Sequence, residues 1–391
     1  MRTLITITLV LTCIYFGYQF WTDDSGSGTD PSPQANANTG ETTNDAPPTP
    51  EVKKPDLPPL PPSEKGRLRE QASGSGPDAD RARWELARIL LDENDDAGRG
   101  EARTLLREVF KGGGELAVRA AGRLLDLDSE SSPQYATFIV QQGKNAPTAA
   151  LARASFHLGQ AAFAKPEESA KIEAWKQLSK AYFAVDDEKW RAPVREKLDT
   201  LLNEHLVFSP RVNKATTLYT VQSGDSLARI AREHQTTVDL VRFLNRLEGD
   251  MIHPGQRLKV LTGNISIEVK KSTFRLDVRL DGKFLYSAKV GLGEYGKTPL
   301  GTFVIDVKQE HPDWQKPGQP VVRYGDPENP LGECWLGFKN TEEHRGYGIH
   351  GTSQPDSIGT ESSQGCIRMR NEQVTFLYRL IPTGTRVTIR E

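Results

Sequence analysis

A proline-rich stretch without any aromatic residue divides the chain and limits where a folded core can begin. Eleven of the 25 prolines fall between Pro31 and Pro77, and no aromatic side chain occurs between Trp21 and Trp84. A segment of this composition buries too little apolar surface to offset the conformational entropy that it loses on ordering. We therefore predict a disordered linker at 23–79, whose role is to give the domains that follow it reach.

The residues before this linker, 1–22, differ from the rest of the chain. After Arg2 no charged residue appears until Asp23, and the residues between them are mostly apolar. As a helix this run would span about 30 Å, the thickness of a bilayer core. Positive charge before the run and acidic residues after it predict a single-pass anchor in the inner (cytoplasmic) membrane, with the rest of the chain exported. A cleaved signal peptide is the alternative, but no Ala-x-Ala site follows the run.

Residues 80–207 have the residue spacing of helices. Apolar residues recur at intervals of three and four residues, which makes one apolar helical stripe: Ile172, Trp175, Leu178, Tyr182 and Val185. Further short helical patterns with turns between them predict stacked helical hairpins with a weak likeness to tetratricopeptide repeats. A docking surface for a protein partner and a plain helical spacer both agree with this pattern.

Residues 217–262 pass from strand to helix and back. An apolar run at 218–221 leads through a Gly-Asp turn into a helix, a second helix runs through 238–245, and a Pro-Gly turn opens a last strand at 257–261. This βααβ unit, with its Gly-Asp-Ser-Leu and Pro-Gly-Gln segments, closely resembles a lysin motif (LysM).

The LysM resemblance implies a shallow groove that binds glycans containing N-acetylglucosamine, chiefly peptidoglycan or chitin. It places six residues in that groove: Gly224, Asp225, Ser226, Leu227, Ile252 and Pro254. A small packing module without sugar affinity is the alternative.

Residues 263–391 carry the period-two alternation of strands. Two alternating runs, 265–269 and 274–278, are followed by an Asp-Gly pair of the kind that forms hairpin turns. Further apolar runs continue to the C-terminal end, with one helical pattern near 372–380. We predict a mostly antiparallel β domain, so that the whole chain is a multi-domain protein with an all-α region, a small βααβ module and this β domain.

Two residues of the β domain have the surroundings of a nucleophile and its base. Cys366 follows a glycine in Ser-Gln-Gly-Cys-Ile-Arg-Met, and His350 ends the strand-like run Tyr-Gly-Ile-His. A thiol of ordinary pKa, about 8.5, is only a few per cent thiolate at neutral pH, so a nucleophilic cysteine benefits from a neighbouring base. The flanking Gly351 and Gly365 leave room for an extended substrate and for backbone amides to face a developing oxyanion.

These motifs resemble the signature of YkuD-type L,D-transpeptidases, and Lys-Thr-Pro-Leu-Gly-Thr-Phe at 297–303 resembles a further signature of that family. The resemblance spans nearly all of 263–391. It implies that Cys366 is the nucleophile and His350 its general base, with the amides of Gly365 and Cys366 in the oxyanion hole. It also implies supporting roles for Ser363, Arg368 and Gly351, the arginine by holding a substrate carboxylate or by bracing its loop.

The family resemblance implies the reaction as well. The nucleophile would attack the peptide bond between residue three and the D-Ala at position four of a peptidoglycan stem, and an amine of another stem would resolve the thioester to give a 3→3 cross-link. No metal or organic cofactor is needed, and carbapenems are expected to acylate the cysteine. The catalytic part would lie outside the cytoplasm, in the periplasm or cell wall, with stem peptides, glycan strands and the membrane as partners.

Several alternatives stay open at this point. Release of D-Ala by water would make the protein an L,D-carboxypeptidase, and an inert catalytic domain would make it a peptidoglycan-binding scaffold. Gln364 stands where relatives often have histidine, the segment 311–333 is long enough to cover the site, and a disulfide between Cys334 and Cys366 could silence the nucleophile. The net charge of −2 argues against nucleic acid as a partner, because phosphate binding needs a clustered basic surface.

Overall fold

The computed structural model describes residues 62–391 except 94, 129–131 and 316–317. The predicted anchor at 1–22 and most of the predicted linker therefore lie outside the described residues. Within the described part of the chain, no helix is both long and apolar enough to cross a membrane.

The described part of the chain opens with eight α-helices, which agrees with the predicted helical region. They are α1 (Pro62–Ala72), α2 (Pro77–Glu93), α3 (Asp96–Gly112), α4 (Gly114–Leu127), α5 (Ser132–Gln142), α6 (Thr148–Phe163), α7 (Glu168–Ala184) and α8 (Glu188–Thr200). A π-helical turn at Leu201–His205 follows. Consecutive helices pack on each other as hairpins, and a Cβ atom on Gly159 of α6 would stand only 2.7 Å from Leu178 Cγ of α7. The bare glycine thus lets these two helices approach closely.

The end of the predicted linker is helical, so the linker prediction is wrong from residue 62 onward. Ala72 of α1 is buried, and Arg69 makes a two-pronged ion pair with Glu101 of α3 at 2.9 Å. The proline-rich composition holds only up to Pro62, which begins the helix; a proline costs nothing there because the first N–H groups of a helix have no partner anyway.

The LysM segment folds as predicted. Strand β1 (Thr217–Thr220) pairs antiparallel with β2 (Arg257–Val260), and helices α9 (Leu227–Glu233) and α10 (Val238–Asn245) lie between them in sequence. Ser226 and Thr237 cap the two helices, each accepting a hydrogen bond from a backbone N–H of the first turn.

The C-terminal domain is built on a mostly antiparallel sheet, as predicted. Its elements are β3 (Ile265–Lys270), β4 (Arg275–Leu280), β5 (Lys283–Lys289), β6 (Leu292–Gly293), β7 (Gly301–Glu310), β8 (Cys334–Phe338), β9 (Gly348–His350), β10 (Glu361–Ser363), β11 (Ile367–Arg368), α11 (Asn371–Leu380) and β12 (Arg386–Arg390). Eight of these strands form one sheet in the order β11-β9-β8-β7-β12-β3-β4-β5, with parallel pairs only at β11–β9 and β12–β3. Helix α11 packs against β8 and β9, and a small parallel pair, β6–β10, lies beside β11.

The last two helices of the helical region, α7 and α8, share one hydrophobic core with the β domain, whereas buried apolar side chains of α2–α5 and Ala154 of α6 form a separate cluster. From α7, the buried Trp175 donates its indole N–H to Phe284 O on β5 at 2.6 Å, and the buried Tyr182 hydroxyl lies 3.1 Å from Asp277 Oδ1 on β4. Ser179 Oγ accepts a hydrogen bond from Phe284 N. Helix α7 therefore covers strands β4 and β5 and is more than a spacer.

The LysM module is joined to the same core. Its Leu240 and Leu244 belong to the shared cluster of buried side chains. Lys259 is buried, and its ammonium donates to three backbone carbonyls of the segment that follows α8, those of Leu206, Ser209 and Arg211. Thr237 donates to the carbonyl of Arg379 at the end of α11. These contacts fix the module against the β domain.

Candidate active site

Strand register brings the predicted nucleophile and base onto one face of the sheet. His350 on β9 pairs with Trp335 on β8 and with Arg368 on β11. Extending the β9–β11 register by one residue places Cys366 opposite Gly348, two residues before His350. Directly opposed residues and residues two apart in a strand share a face. Cys366, His350, Arg368 and Trp335 therefore surround one patch of that face.

Cys366 is half-buried, and its Sγ lies 3.5 Å from Gly346 O. Burial raises the pKa of the Cys366 thiol to about 11, although the Gly348 amide and the Arg368 guanidinium act in the opposite direction. The resting residue is consequently a thiol, and it needs a base when it attacks.

His350 is buried and is oriented by backbone groups. Its Nδ1 lies 2.6 Å from Gly351 O, which accepts the proton of that nitrogen and leaves Nε2 with a free lone pair. Burial lowers the pKa of His350 to about 4, helped by Arg368 and opposed by the carbonyls of Gly351 and Leu331. The imidazole is thus neutral at physiological pH and can accept the thiol proton without a carboxylate behind it.

Ser363 holds the loop that carries Cys366. It is buried, its Oγ donates to Cys366 O at 2.7 Å, and the same oxygen accepts from Gly365 N at 3.1 Å. The Gly365 amide is therefore engaged within the loop and does not face a substrate. Of the two amides predicted for the oxyanion hole, only that of Cys366 remains a candidate.

Gly365 has a structural reason to be glycine. Its φ of 130° is one that other residues rarely adopt, and a Cβ there would lie 2.7 Å from Cε1 of Tyr347. The loop before Cys366 can thus pass close to β9 only without a side chain at this position.

Arg368 is a cation without an acidic partner among the described residues. Its Nη1 lies 3.5 Å from Gln354 Oε1, and its buried Nε has no hydrogen-bond partner there. An unpartnered guanidinium beside Cys366 is suited to a carboxylate, which it can bind with two parallel hydrogen bonds.

Asn371, at the start of α11, supports the strand end that carries His350, and the sequence analysis did not name it. Its Oδ1 accepts from Thr352 N at 3.0 Å and from Glu333 N at 3.4 Å, which ties the ends of β8 and β9 together. A Cβ on Gly351 would collide with this oxygen. Gly351 accordingly supports the site through its carbonyl on His350 and through the space that it leaves for Asn371.

Trp335, which the sequence alone predicts to be a packing residue, also lies at the site. Its ring centroid lies 5.8 Å from that of His350, and the side chain is only half-buried. The signal was present as Trp-x-Gly at 335–337, because residues two apart in a strand share a face and the glycine leaves room for the indole.

The disulfide between Cys334 and Cys366 is absent, and both thiols are free. Cys334 precedes Trp335 on β8, so its side chain points to the opposite face, where Sγ lies 3.9 Å from Thr375 Oγ1 on α11. Strand alternation therefore keeps the two sulfur atoms apart, and the hypothesis of a silencing disulfide is wrong.

The described residues of the segment 311–333 are held by contacts within the segment. Trp314 and Val322 form a β-bridge, and the Tyr324 hydroxyl donates to Glu333 Oε2 at 2.9 Å. Asn329 is buried, and its Nδ2 donates to Pro312 O at 2.9 Å.

In the LysM module, three of the predicted groove residues have structural tasks. The Asp225 carboxylate accepts from the Tyr219 hydroxyl and from Gln222 N, both at 2.7 Å; Ser226 caps α9; and Leu227 is buried. Their side chains shape the turn and are not free for a sugar.

The remaining groove residues lie near the surface. The turn around Gly224 is joined to the second turn by hydrogen bonds between Val221 and the Gly255–Gln256 segment, at 2.8 and 2.9 Å. Pro254 is exposed, Ile252 is half-buried against the module's own core, and the neighbouring Met251 is 79% exposed. The surface available to a glycan is thus formed by the two turns and Met251.

The protonation states of the pair predict how Cys366 responds to pH. With a pKa of about 11, the thiol is ionised in roughly one molecule in 10⁴ at pH 7, so alkylation by iodoacetamide is expected to be slow there and to rise about tenfold per pH unit. Reaction with a substrate, which uses neutral His350, is expected to decline only below about pH 5. Peptide-resolved mass spectrometry of the alkylated protein measures the first profile. Fast alkylation that is constant from pH 5 to 9 would instead indicate a thiolate–imidazolium pair.

A half-buried thiol beside a neutral, backbone-oriented imidazole on an open sheet face is an arrangement for acyl transfer by a cysteine. Comparison with known proteins identifies the family. Residues 264–389 match the YkuD model, described as an L,D-transpeptidase catalytic domain, and residues 219–261 match the LysM domain.

Individual relatives agree with this assignment. YqjB of Bacillus subtilis strain 168, assigned as an L,D-transpeptidase, is 43% identical over 135 residues, which are 34% of this chain and 74% of YqjB. YkuD of Bacillus licheniformis, assigned likewise, is 32% identical over 182 residues, which are 44% of this chain and 98% of that protein. The chain belongs to the YkuD family of L,D-transpeptidases, as its motifs predicted. A solved L,D-transpeptidase from Mycobacterium smegmatis matches at 21% identity with a TM-score of 0.27, over 35% of this chain and 64% of that one.

Proposed function

We propose that this protein is a peptidoglycan L,D-transpeptidase that forms 3→3 cross-links through a thioester on Cys366. The observation that carries the proposal is the convergence of Cys366, neutral His350 and the unpartnered Arg368 on one sheet face. Family membership supplies the reaction class, and these three side chains supply a nucleophile, a base and a group for a carboxylate.

The proposed first step forms the acyl-enzyme. Cys366 Sγ attacks the carbonyl carbon of stem residue three while His350 Nε2 takes the thiol proton. The C–N bond to D-Ala then breaks, and His350 returns that proton to the leaving amine. In this proposal the Cys366 amide stabilises the oxyanion, and Arg368 holds the carboxylate of D-Ala.

The proposed second step reverses the first with a new amine. The amine of a second stem attacks the thioester carbon, loses a proton to His350, and forms the new amide bond. The proton returns to sulfur as the C–S bond breaks, which restores the resting thiol. If water attacks instead of the amine, the products are a tripeptide and the same free enzyme.

Product analysis of disaccharide-tetrapeptide muropeptides tests this proposal. We expect cross-linked dimers that have lost one D-Ala to exceed tripeptide monomers. Tripeptide monomers that predominate even with added acceptor amine would make the protein a carboxypeptidase. An unchanged substrate would favour a binding scaffold.

We further propose that the LysM module holds the enzyme on glycan strands. Because Thr237 joins the module to α11 of the β domain and Lys259 joins it to the segment after α8, a bound glycan would have a set position relative to Cys366. Binding to glycan raises the local concentration of stem peptides without changing the chemistry.

Substitution in the exposed turn tests the glycan role, because removal of the whole module would damage the shared core. Met251→Glu is expected to lower retention of the protein on purified sacculi several-fold and to leave turnover of a soluble tetrapeptide unchanged. Val212→Glu, at an exposed apolar position outside the module (46% exposed, against 79% for Met251), is the control. Equal retention of both variants and the wild type would contradict a glycan-binding role for this surface.

A further inference from the structure

The Trp335 indole lies flat across two glycines beside the nucleophile. A Cβ on Gly337 would stand 2.6 Å from the indole Nε1, and a Cβ on Gly348 would stand 2.9 Å from the far edge of its six-membered ring. Gly337 pairs with Gly348, and Gly348 stands opposite Cys366. The ring thus crosses from β8 to β9 and ends next to the cysteine.

On the β7 side of the indole, the residues that continue this surface are apolar or neutral. On β7, Val307 pairs with Gly337 and is 51% exposed, and Gln309 pairs with Trp335 and is also exposed. Arg368 lies on the other side of His350. One row across the four strands therefore consists of Gln309, Trp335, His350 and Arg368. It begins with a hydrogen-bond acceptor and a π face and ends with a cation.

This polarity orients a substrate. In the proposed reaction the carboxylate belongs to the D-Ala that leaves, so Arg368 marks the side of the leaving group. Residue three of the donor stem is bonded to Cys366 through its carbonyl and must extend away from Arg368, over Trp335. In a 3→3 cross-link the acceptor amine is a side-chain amine of residue three, so the donor's own residue three carries the same ammonium group.

We propose that Trp335 is the floor of a subsite for the aliphatic, ammonium-bearing side chain of residue three of the donor stem. This subsite rests on the transpeptidase function proposed above. The methylene groups lie on Val307 and the indole, and the ammonium lies over the indole face, the strongest of the aromatic faces for a cation. The carboxamide oxygen of Gln309 accepts a hydrogen bond from the ammonium. A positive charge on this side also avoids repulsion from Arg368.

The test compares two donor tetrapeptides in the full chain, one with lysine and one with norleucine at position three. Norleucine keeps the aliphatic chain and replaces the ammonium with a methyl group. The wild type is expected to release D-Ala from the lysine peptide with a kcat/KM about five- to thirty-fold higher, which is the range of a cation–π contact that is partly shielded from water.

Two variants, whose new side chains are similar in volume to each other, distinguish an effect of the π face from an effect of simple packing. Trp335→Leu is expected to reduce the preference for lysine to less than about twofold, whereas Trp335→Phe retains most of it. The iodoacetamide profile of Cys366 serves as the control that the nucleophile and base are unchanged in both variants.

Each other outcome decides against the subsite. If the wild type releases D-Ala equally from both peptides, or if Trp335→Leu keeps the preference for lysine, the subsite is wrong while the transpeptidase function stands. If the wild type releases D-Ala from neither peptide, the proposed function fails and the subsite with it.

Discussion

Replacement of Cys366 by alanine is expected to abolish acyl-enzyme formation, with a loss of about 10⁴-fold or more in D-Ala release from a stem tetrapeptide. Among the four described side chains that surround the site, the sulfur is the one that can form a covalent bond with the substrate carbonyl, because His350 is buried and Trp335 and Arg368 are not nucleophiles. Since the side chain is half-buried, its loss costs little stability, on the order of 1 kcal/mol. Intact-mass spectra after incubation with a carbapenem measure acylation directly.

The acylation experiment separates a loss of chemistry from a loss of fold. The variant should show no adduct, together with a thermal midpoint within a few degrees of the wild type. A carbapenem adduct on Cys366→Ala would show that another residue is the nucleophile. His350→Gln should still contain the thiol but react more slowly, by about 10²- to 10⁴-fold, because a thiol with a pKa near 11 then has no base.

The motifs around Cys366 and His350 were sufficient to predict the family, whereas the catalytic roles of these two residues stay predictions. Such motifs are local, and their side chains are brought together by a register that pairs Arg368 with His350. The prediction was less complete for backbone groups. The sequence Ser-Gln-Gly-Cys does not indicate that the Gly365 amide donates a hydrogen bond to Ser363 Oγ, because that bond depends on the conformation of the loop.

Residues from strands that are distant in sequence were the harder part of the site. Trp335 reaches the site through the pairing of β8 with β9, of which Trp-x-Gly is only a weak local sign, and Asn371 reaches it through the packing of α11, which leaves no local pattern. The dependence on long-range packing also explains why the sequence did not predict contact between the helical region and the β domain. Its apolar stripe predicted a buried face correctly, but a stripe does not say what covers it.

The β domain itself covers the apolar stripe of α7, so we expect truncated proteins without this helix to fold poorly. A fragment of residues 213–391 contains every predicted catalytic residue and the LysM module, yet we expect it to be unfolded or insoluble. It lacks the buried Trp175 and Tyr182 of α7 and leaves Phe284, also fully buried in the intact chain, open to water. Each large apolar side chain contributes about 1.5–3 kcal/mol to stability when it is buried. The loss of several such contributions therefore removes a large part of a domain's free energy of unfolding, which is about 5–15 kcal/mol.

Polar groups at this interface add to the cost. In the fragment, Phe284 O loses the Trp175 indole N–H, and Phe284 N loses Ser179 Oγ. Lys259 also loses its three carbonyl partners in the segment after α8, which leaves an ammonium group without its acceptors. In the fragment these groups face water, so each lost intramolecular hydrogen bond lowers the stability by about 0.5–1.5 kcal/mol.

A second fragment makes the prediction specific to α7 and α8. Residues 146–391 keep α6, α7, α8 and the segment that binds Lys259, so the shared core remains covered. We expect this fragment to unfold cooperatively, with a midpoint close to that of residues 62–391, and to retain tetrapeptide turnover. Soluble yield, thermal unfolding and limited proteolysis of the three proteins, side by side, give the measurement. If 213–391 folds with the same midpoint as the longer fragments, helices α7 and α8 are dispensable appendages, and the catalytic domain is complete without them.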